Sequence, residues 1–209
     1  MHTQLLLVAA VAVIGVLHTI VPDHWAPIAV VARQQRWTRR QTAWTAAGAG
    51  LGHTISTLAI GAVAWLVGVA AAQRYGHYVN IASGIALIAF GLWIAVGALR
   101  EAREPVSEIE SEVTADAKKI AMRTSVILVL GSSPSVEALP TFFAAAKFGV
   151  FWELVLAAVF AATTIGTYVV TCVLSAAGLE KLRLTPLERY GEVISGGFVA
   201  IVGAIFLFL

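Results

Sequence analysis

The chain has 209 residues, of which 59% are hydrophobic and only 12% charged, with a net charge of +2 at pH 7 and a mean hydropathy of +0.85. Soluble domains are about 45–50% apolar and about 25% charged, so the apolar excess exceeds what a globule of this size can bury. Composition therefore excludes a soluble enzyme, a disordered chain and a nucleic-acid binder, and leaves an all-α integral membrane protein whose first partner is lipid.

A transmembrane helix needs about 20 mostly apolar residues. Six blocks qualify, at 5–32, 43–70, 78–99, 124–146, 150–177 and 190–209. The first block is read as a span, not as a signal peptide, because Met1 to Gln4 carries no Lys or Arg and no small-residue cleavage site follows the apolar run. It contains His18, Asp23 and His24, with prolines at 22 and 27. At about 100° per residue, a straight helix would hold His18 about 140° from Asp23 and about 120° from His24. A proline ring clashes with the carbonyl four residues back, so Pro22 and Pro27 are both expected to break the span and turn the three side chains toward one point. Charged groups in the bilayer cost about 2.5–3.5 kcal/mol each on insertion scales, which makes such residues candidates for function.

The second span carries Gly48, Gly52 and Ser56 at intervals of four, a face of small residues that lets another helix approach closely. His53 borders that face, about 15 Å from the start of the span. The third span is preceded by Arg74-Tyr75-Gly76 and includes GIALIAFG at 84–91. Residues 100–123 form a charged linker. The fourth span holds Pro134 and Pro140 with Glu137 between them, and is expected to break as the first does. Glu137 is read as a metal ligand, a charge-compensating neighbour or a proton carrier. Thr163, Thr164 and Thr167 in the fifth span add hydroxyls, although threonine in a membrane helix commonly bonds its own backbone. The sixth span opens with a second Arg-Tyr-Gly at 189–191 and continues with GGFVAIVG at 196–203. Asp23 and Glu137 are taken as the acids inside the spans, and the remaining charges are assigned to loops.

These correspondences define an internal repeat, 1–99 against 124–209, joined by the 100–123 linker. Three spans per copy force the second copy to be inverted, and inverted repeats with broken helices in matching places are how many transporters build a midplane site. Twelve of the fourteen Lys and Arg residues fall in alternate loops. The positive-inside rule then places those loops, the linker included, in the cytoplasm and both termini outside it, in a multi-pass protein of the cell membrane. The single Cys172 excludes an intrachain disulfide and a two-thiol relay.

Imidazoles with a carboxylate suit divalent nickel, cobalt, zinc, copper or iron. His18, Asp23, His24, His53 and Glu137 are accordingly the candidate metal-binding residues. At HTIVPDH (18–24) and LGHT (51–54) the sequence resembles the nickel/cobalt transporter superfamily, whose signature is His-x4-Asp-His on one span and Leu-Gly-His on the next. SSPSVEALP (132–140) is similar to the short six-helix relatives of that group, the UreH-like and cytochrome c biogenesis-like transmembrane proteins. The resemblance implies passage of nickel or cobalt, with the motif His and Asp residues essential. The chain departs from the pattern at Val21, where the fuller motif has an acid, at Pro22, and in the linker, which has no histidine.

The expected function is therefore a transporter, not an enzyme, with Ni²⁺ or Co²⁺ as cargo and no tightly bound cofactor, working by alternating access around the two broken spans. Gly-rich faces on spans 2, 3 and 6 serve internal packing or a homo-oligomer. Two alternatives stand beside it. One is a transporter of another small solute such as sulfite, an amino acid or an organic anion. The other is a membrane acyltransferase, in which a His-x4-Asp pair does the chemistry. No G-x4-G-K-[ST] motif is present, so active transport requires a gradient or a partner.

Overall fold

The structure, a computed structural model, describes residues 2–75, 78–101, 127, 131, 134–178 and 185–207. The charged linker lies almost wholly outside the described residues. In chain order the helices are α1 (His2–Thr19), α2 (Pro22–Gln34), α3 (Arg39–Tyr75), α4 (Tyr78–Glu101), α5 (Leu139–Ala145), α6 (Val150–Ala176) and α7 (Thr185–Leu207). Single 3₁₀ turns at Val136–Ala138 and Ala146–Phe148 flank α5, and no strand occurs among the described residues. Four helical stretches are long and apolar enough to cross a membrane: His2–Thr19, Arg39–Arg74, Ile81–Arg100 and Val150–Ala176. A shorter apolar stretch, Tyr190–Ile205, lies within α7.

Many large apolar side chains among the described residues point outward. Leu51, Ile55, Val63, Leu66, Ile85, Leu92, Phe151, Leu154, Val170 and Ile201 are all exposed. So many exposed apolar side chains are rare on a soluble monomer and are compatible with lipid contact.

Inside, helices are held by shape more than by apolar driving force, since lipid is as apolar as leucine. The tightest crossing joins α4 and α7. A Cβ built on Gly91 would lie 2.5 Å from the Gly196 carbonyl oxygen, and one on Gly196 would lie 2.6 Å from that of Gly91. Two turns away the relation recurs, with Gly84 set against Gly203 and Gly203 against Gly84. Backbone therefore meets backbone at both ends of the crossing. A second layer packs Leu7, Val11 and Ile14 of α1 with Phe142 of α5 and Leu156 and Phe160 of α6, all buried.

The first span breaks where Pro22 predicts, and only there. α1 ends at Thr19, Val21 is extended at φ −64° and ψ 137°, and Pro22 opens α2 at its first position. A proline at that position lacks only a donor that the helix leaves unused, and its ring already holds the helical φ. Pro27, expected to make a second break, sits inside an unbroken α2. The carbonyl of Ile20, freed at the break, accepts a hydrogen bond from the Trp25 indole at 2.8 Å.

In the fourth apolar block the chain is non-helical at Pro134 and Ser135, and Pro140 stands in the first turn of α5. Here the cost of interruption is met by α3. In a continuous helix the Ser135 N–H would bond the Gly131 carbonyl. Instead, that N–H donates to Thr57 Oγ1 at 2.8 Å, and the Gly131 carbonyl accepts from Ser56 Oγ at 3.0 Å. Two adjacent hydroxyls on α3 thus satisfy both halves of one broken backbone bond, as an interrupted membrane helix demands. The expected close face is the means of approach, because a Cβ on Gly52 would lie 3.0 Å from the Gly131 Cα.

Candidate metal centre

The break in the first span does what the straight-helix geometry forbids. His18 is in the last turn of α1 and His24 in the first turn of α2, and their ring centroids stand 4.3 Å apart. His53 comes from the middle of α3, with its ring 5.6 Å from His18 and 5.4 Å from His24. His53 is fully buried, His24 nearly so, and the His18 side chain is 12% exposed. One nitrogen from each of the three lies within 4.8 Å of the others. Three imidazoles at this separation, largely buried, form a nitrogen-rich cluster suited to a borderline divalent cation.

Glu137 reaches the cluster from the 3₁₀ turn that follows the second break. Its Oε1 is 3.3 Å from His18 Nδ1, and its side chain is 7% exposed. Its Oε2 is sealed from solvent and has no hydrogen-bond partner among the described residues. Two elements more than a hundred residues apart in the chain, each opened by proline, therefore present an imidazole and a carboxylate to each other.

Of the five residues singled out from the sequence, His18, His24, His53 and Glu137 converge. Asp23 falls in the first turn of α2, and its side chain lies outside the described residues. The threonines of α6 divide as expected for backbone-bonded hydroxyls. Thr163 donates to the Val159 carbonyl at 2.8 Å and Thr167 to the Thr163 carbonyl at 2.7 Å, so neither hydroxyl is turned to the cluster. Thr164 is fully buried.

Two residues were missed. Glu192 of α7 brings its Oε1 to 3.7 Å from His18 Nδ1. It corrects the assignment of all acids other than Asp23 and Glu137 to loops. The signal was present, since Glu192 falls inside the sixth apolar block immediately after the repeated Arg-Tyr-Gly. Tyr168 of α6 forms a wall of the pocket, fully buried and 6.0 Å ring to ring from both His24 and His53. Gly50 makes room for it, because a Cβ there would lie 3.2 Å from Tyr168 Cδ2.

No family profile, curated protein or solved structure matches this chain.

Proposed function

We propose that the protein is a multi-pass membrane transporter of a divalent transition-metal cation, nickel or cobalt, with His18, His24 and His53 as the core of the cargo site and Asp23 and Glu137 completing it. The observation that carries this reading is the meeting of three imidazoles from α1, α2 and α3, the first two separated by the break at Pro22, in a largely buried cluster. Buried polar groups inside an apolar protein are costly to assemble, and two histidines joined across a proline break and met by a third are hard to account for as packing. The resemblance at 18–24 and 51–54 points the same way.

The architecture that goes with this reading is six spans in two inverted three-helix copies. It is supported by reciprocity in the packing. Gly84 meets Gly203 and Gly91 meets Gly196, so the first glycine of each of the segments 84–91 and 196–203 faces the last of the other. That is the contact pattern of a two-fold axis, here relating antiparallel helices. Gly131 against α3 and Gly15 against Thr163 of α6 repeat the theme. The helical residues Ile127 and Gly131 fit a fourth span whose first half precedes the break. Basic residues in alternate loops set both termini outside the cytoplasm. Alternating access then moves the half-helices about a fixed cluster. Neither the organic-solute nor the acyltransferase alternative has an observation of its own in its favour.

The test is cellular metal content. Cells expressing the chain should differ several-fold from empty-vector cells in nickel or cobalt, in one direction or the other, and His24→Ala, His53→Ala and Asp23→Asn should each abolish the difference. Unchanged nickel and cobalt in cells carrying the intact chain at the membrane would overturn the reading.

A further inference from the structure

Resting on the transport reading, we propose that His18 belongs to two cation stations, the three-imidazole pocket and a second, harder one formed by His18, Glu137 and Glu192. The second group has the same compactness as the first, since one ligand atom from each of its members lies within 4.8 Å of the others. Its geometry fixes which edge of the ring it uses. His18 Nδ1 faces Glu137 Oε1 at 3.3 Å and Glu192 Oε1 at 3.7 Å. In this proposal Nδ1 serves the carboxylate station and Nε2 the imidazole one.

Two observations beyond the carboxylate pair point to a ligand there. Glu137 Oε2 is buried with no hydrogen-bond partner among the described residues, although its side chain is 93% sheltered from solvent, as the 7% exposure implies. A carboxylate oxygen so placed has lone pairs that a cation would fill. The second is that α7 is brought to the site by a purpose-made contact. A Cβ on Gly191, the residue before Glu192, would lie 2.8 Å from the carbonyl of Leu17, the residue before His18. Only glycine allows that approach. The Leu17 carbonyl also belongs to the last turn of α1, where the helix dipole favours positive charge. Glu192, 23% exposed, is the most open member and forms the mouth of the station.

The two stations differ in chemistry. Three nitrogens favour Co²⁺ and Ni²⁺, whereas one nitrogen with carboxylate oxygens accepts Mn²⁺ more readily. A neutral imidazole has one free ring lone pair, its other nitrogen carrying the proton. The stations are therefore alternatives, and each chain holds one cation at a time.

The experiment uses the full chain purified in detergent, titrated separately with Mn²⁺, followed by electron paramagnetic resonance, and with Co²⁺, followed by calorimetry and visible absorption. Wild type should bind one equivalent of either. Glu192→Gln should weaken Mn²⁺ by about tenfold or more while moving Co²⁺ by no more than about twofold to threefold. His53→Gln should do the reverse. This crossed pattern cannot come from misfolding, which lowers both metals together. If Glu192→Gln weakens both metals equally, Glu192 only orients His18 for a single site and the second station is overturned. The same follows if Glu192→Gln changes neither metal, or if wild type holds two equivalents of one metal at once. Failure of wild type to bind either metal would overturn the transport reading itself, a different result from all of these.

Discussion

The α4–α7 crossing and the broken-helix centre both depend on glycine, yet they put close approach to opposite uses. In the crossing, Gly84, Gly91, Gly196 and Gly203 bring two intact helices together, and every backbone group keeps its own helical bond. At the centre, Gly52 brings α3 to a helix that is interrupted, so that Ser56 and Thr57 can serve the carbonyl and N–H the interruption releases. The first region is a dry hinge plate built for rigidity. The second is a place where backbone has been opened and polar side chains collected. The same close approach locks two intact helices in one place and, in the other, lets a neighbouring helix satisfy the backbone groups that an interruption releases.

The comparison breaks most sharply at Gly91. Gly91→Val puts branched carbon where a Cβ already lies 2.5 Å from backbone atoms of Gly196 and Ala200. Neither atom can move without displacing α7, so destabilisation of about 3 kcal/mol or more is expected. Thermal melting in detergent reads it. Co²⁺ affinity of whatever protein remains folded should be unchanged, because the crossing holds no ligand. A large loss of affinity with an unchanged melting point would mean that the two regions are one.

His53→Ala makes the reverse cut. Removing one of three imidazoles should weaken Co²⁺ about 100-fold, equivalent to about 2.7 kcal/mol. The rise in melting temperature that Co²⁺ gives to the intact chain should disappear with it, since a ligand stabilises only the state that binds it. Co²⁺ stabilisation that survives in His53→Ala would remove His53 from the site.

Thr57→Val tests the repair within the centre. It leaves the Ser135 N–H buried without its acceptor, at a cost of about 1–3 kcal/mol. Since Glu137 sits two residues beyond that bond, metal affinity should also fall, by about tenfold at most. Gly131 keeps its bond from Ser56, so Ser56→Ala should have a separate effect of similar size. If Thr57→Val lowers stability and leaves metal affinity untouched, the position of Glu137 does not depend on the repaired break.

Much of this organisation is legible in the sequence because it is local. The ends of α3, α4 and α6 fall close to the ends of the apolar blocks, since hydropathy and lipid thickness set both. Pro22 announced the break that pairs His18 with His24, and the Gly48–Gly52–Ser56 face announced the close approach to the fourth span. Pro27 misled: α2 runs through it unbroken although a full turn, residues 22–26, precedes it, and nothing in the sequence marked which of the two prolines would open the chain. Glu192 and Tyr168 were illegible for another reason. Their place depends on where α6 and α7 lie across the bundle, which is set by Gly50 and Gly191 meeting distant partners. Periodicity along one helix contains nothing about the helix it will meet.

The finest test separates glycines that hold contacts from glycines that do not. A Cβ on Gly97 of α4 or Gly166 of α6 would meet nothing within 4 Å, although each shares its helix with residues under tight constraint. Gly97 lies within two turns of Gly91 and Gly166 within one turn of Tyr168. Were the whole helices tuned for approach, alanine at these positions would disturb the crossing or the pocket. The geometry says otherwise. Gly97→Ala and Gly166→Ala should change stability by no more than about 0.5 kcal/mol, with a slight gain from the lower backbone entropy of alanine. Co²⁺ affinity should stay at the wild-type value in both. A marked loss in Gly97→Ala would show that a further surface, outside this single chain, covers α4 at that point. A marked loss in Gly166→Ala would show the same for α6, on the face opposite the imidazoles, where Gly166 is open and Tyr168 is not.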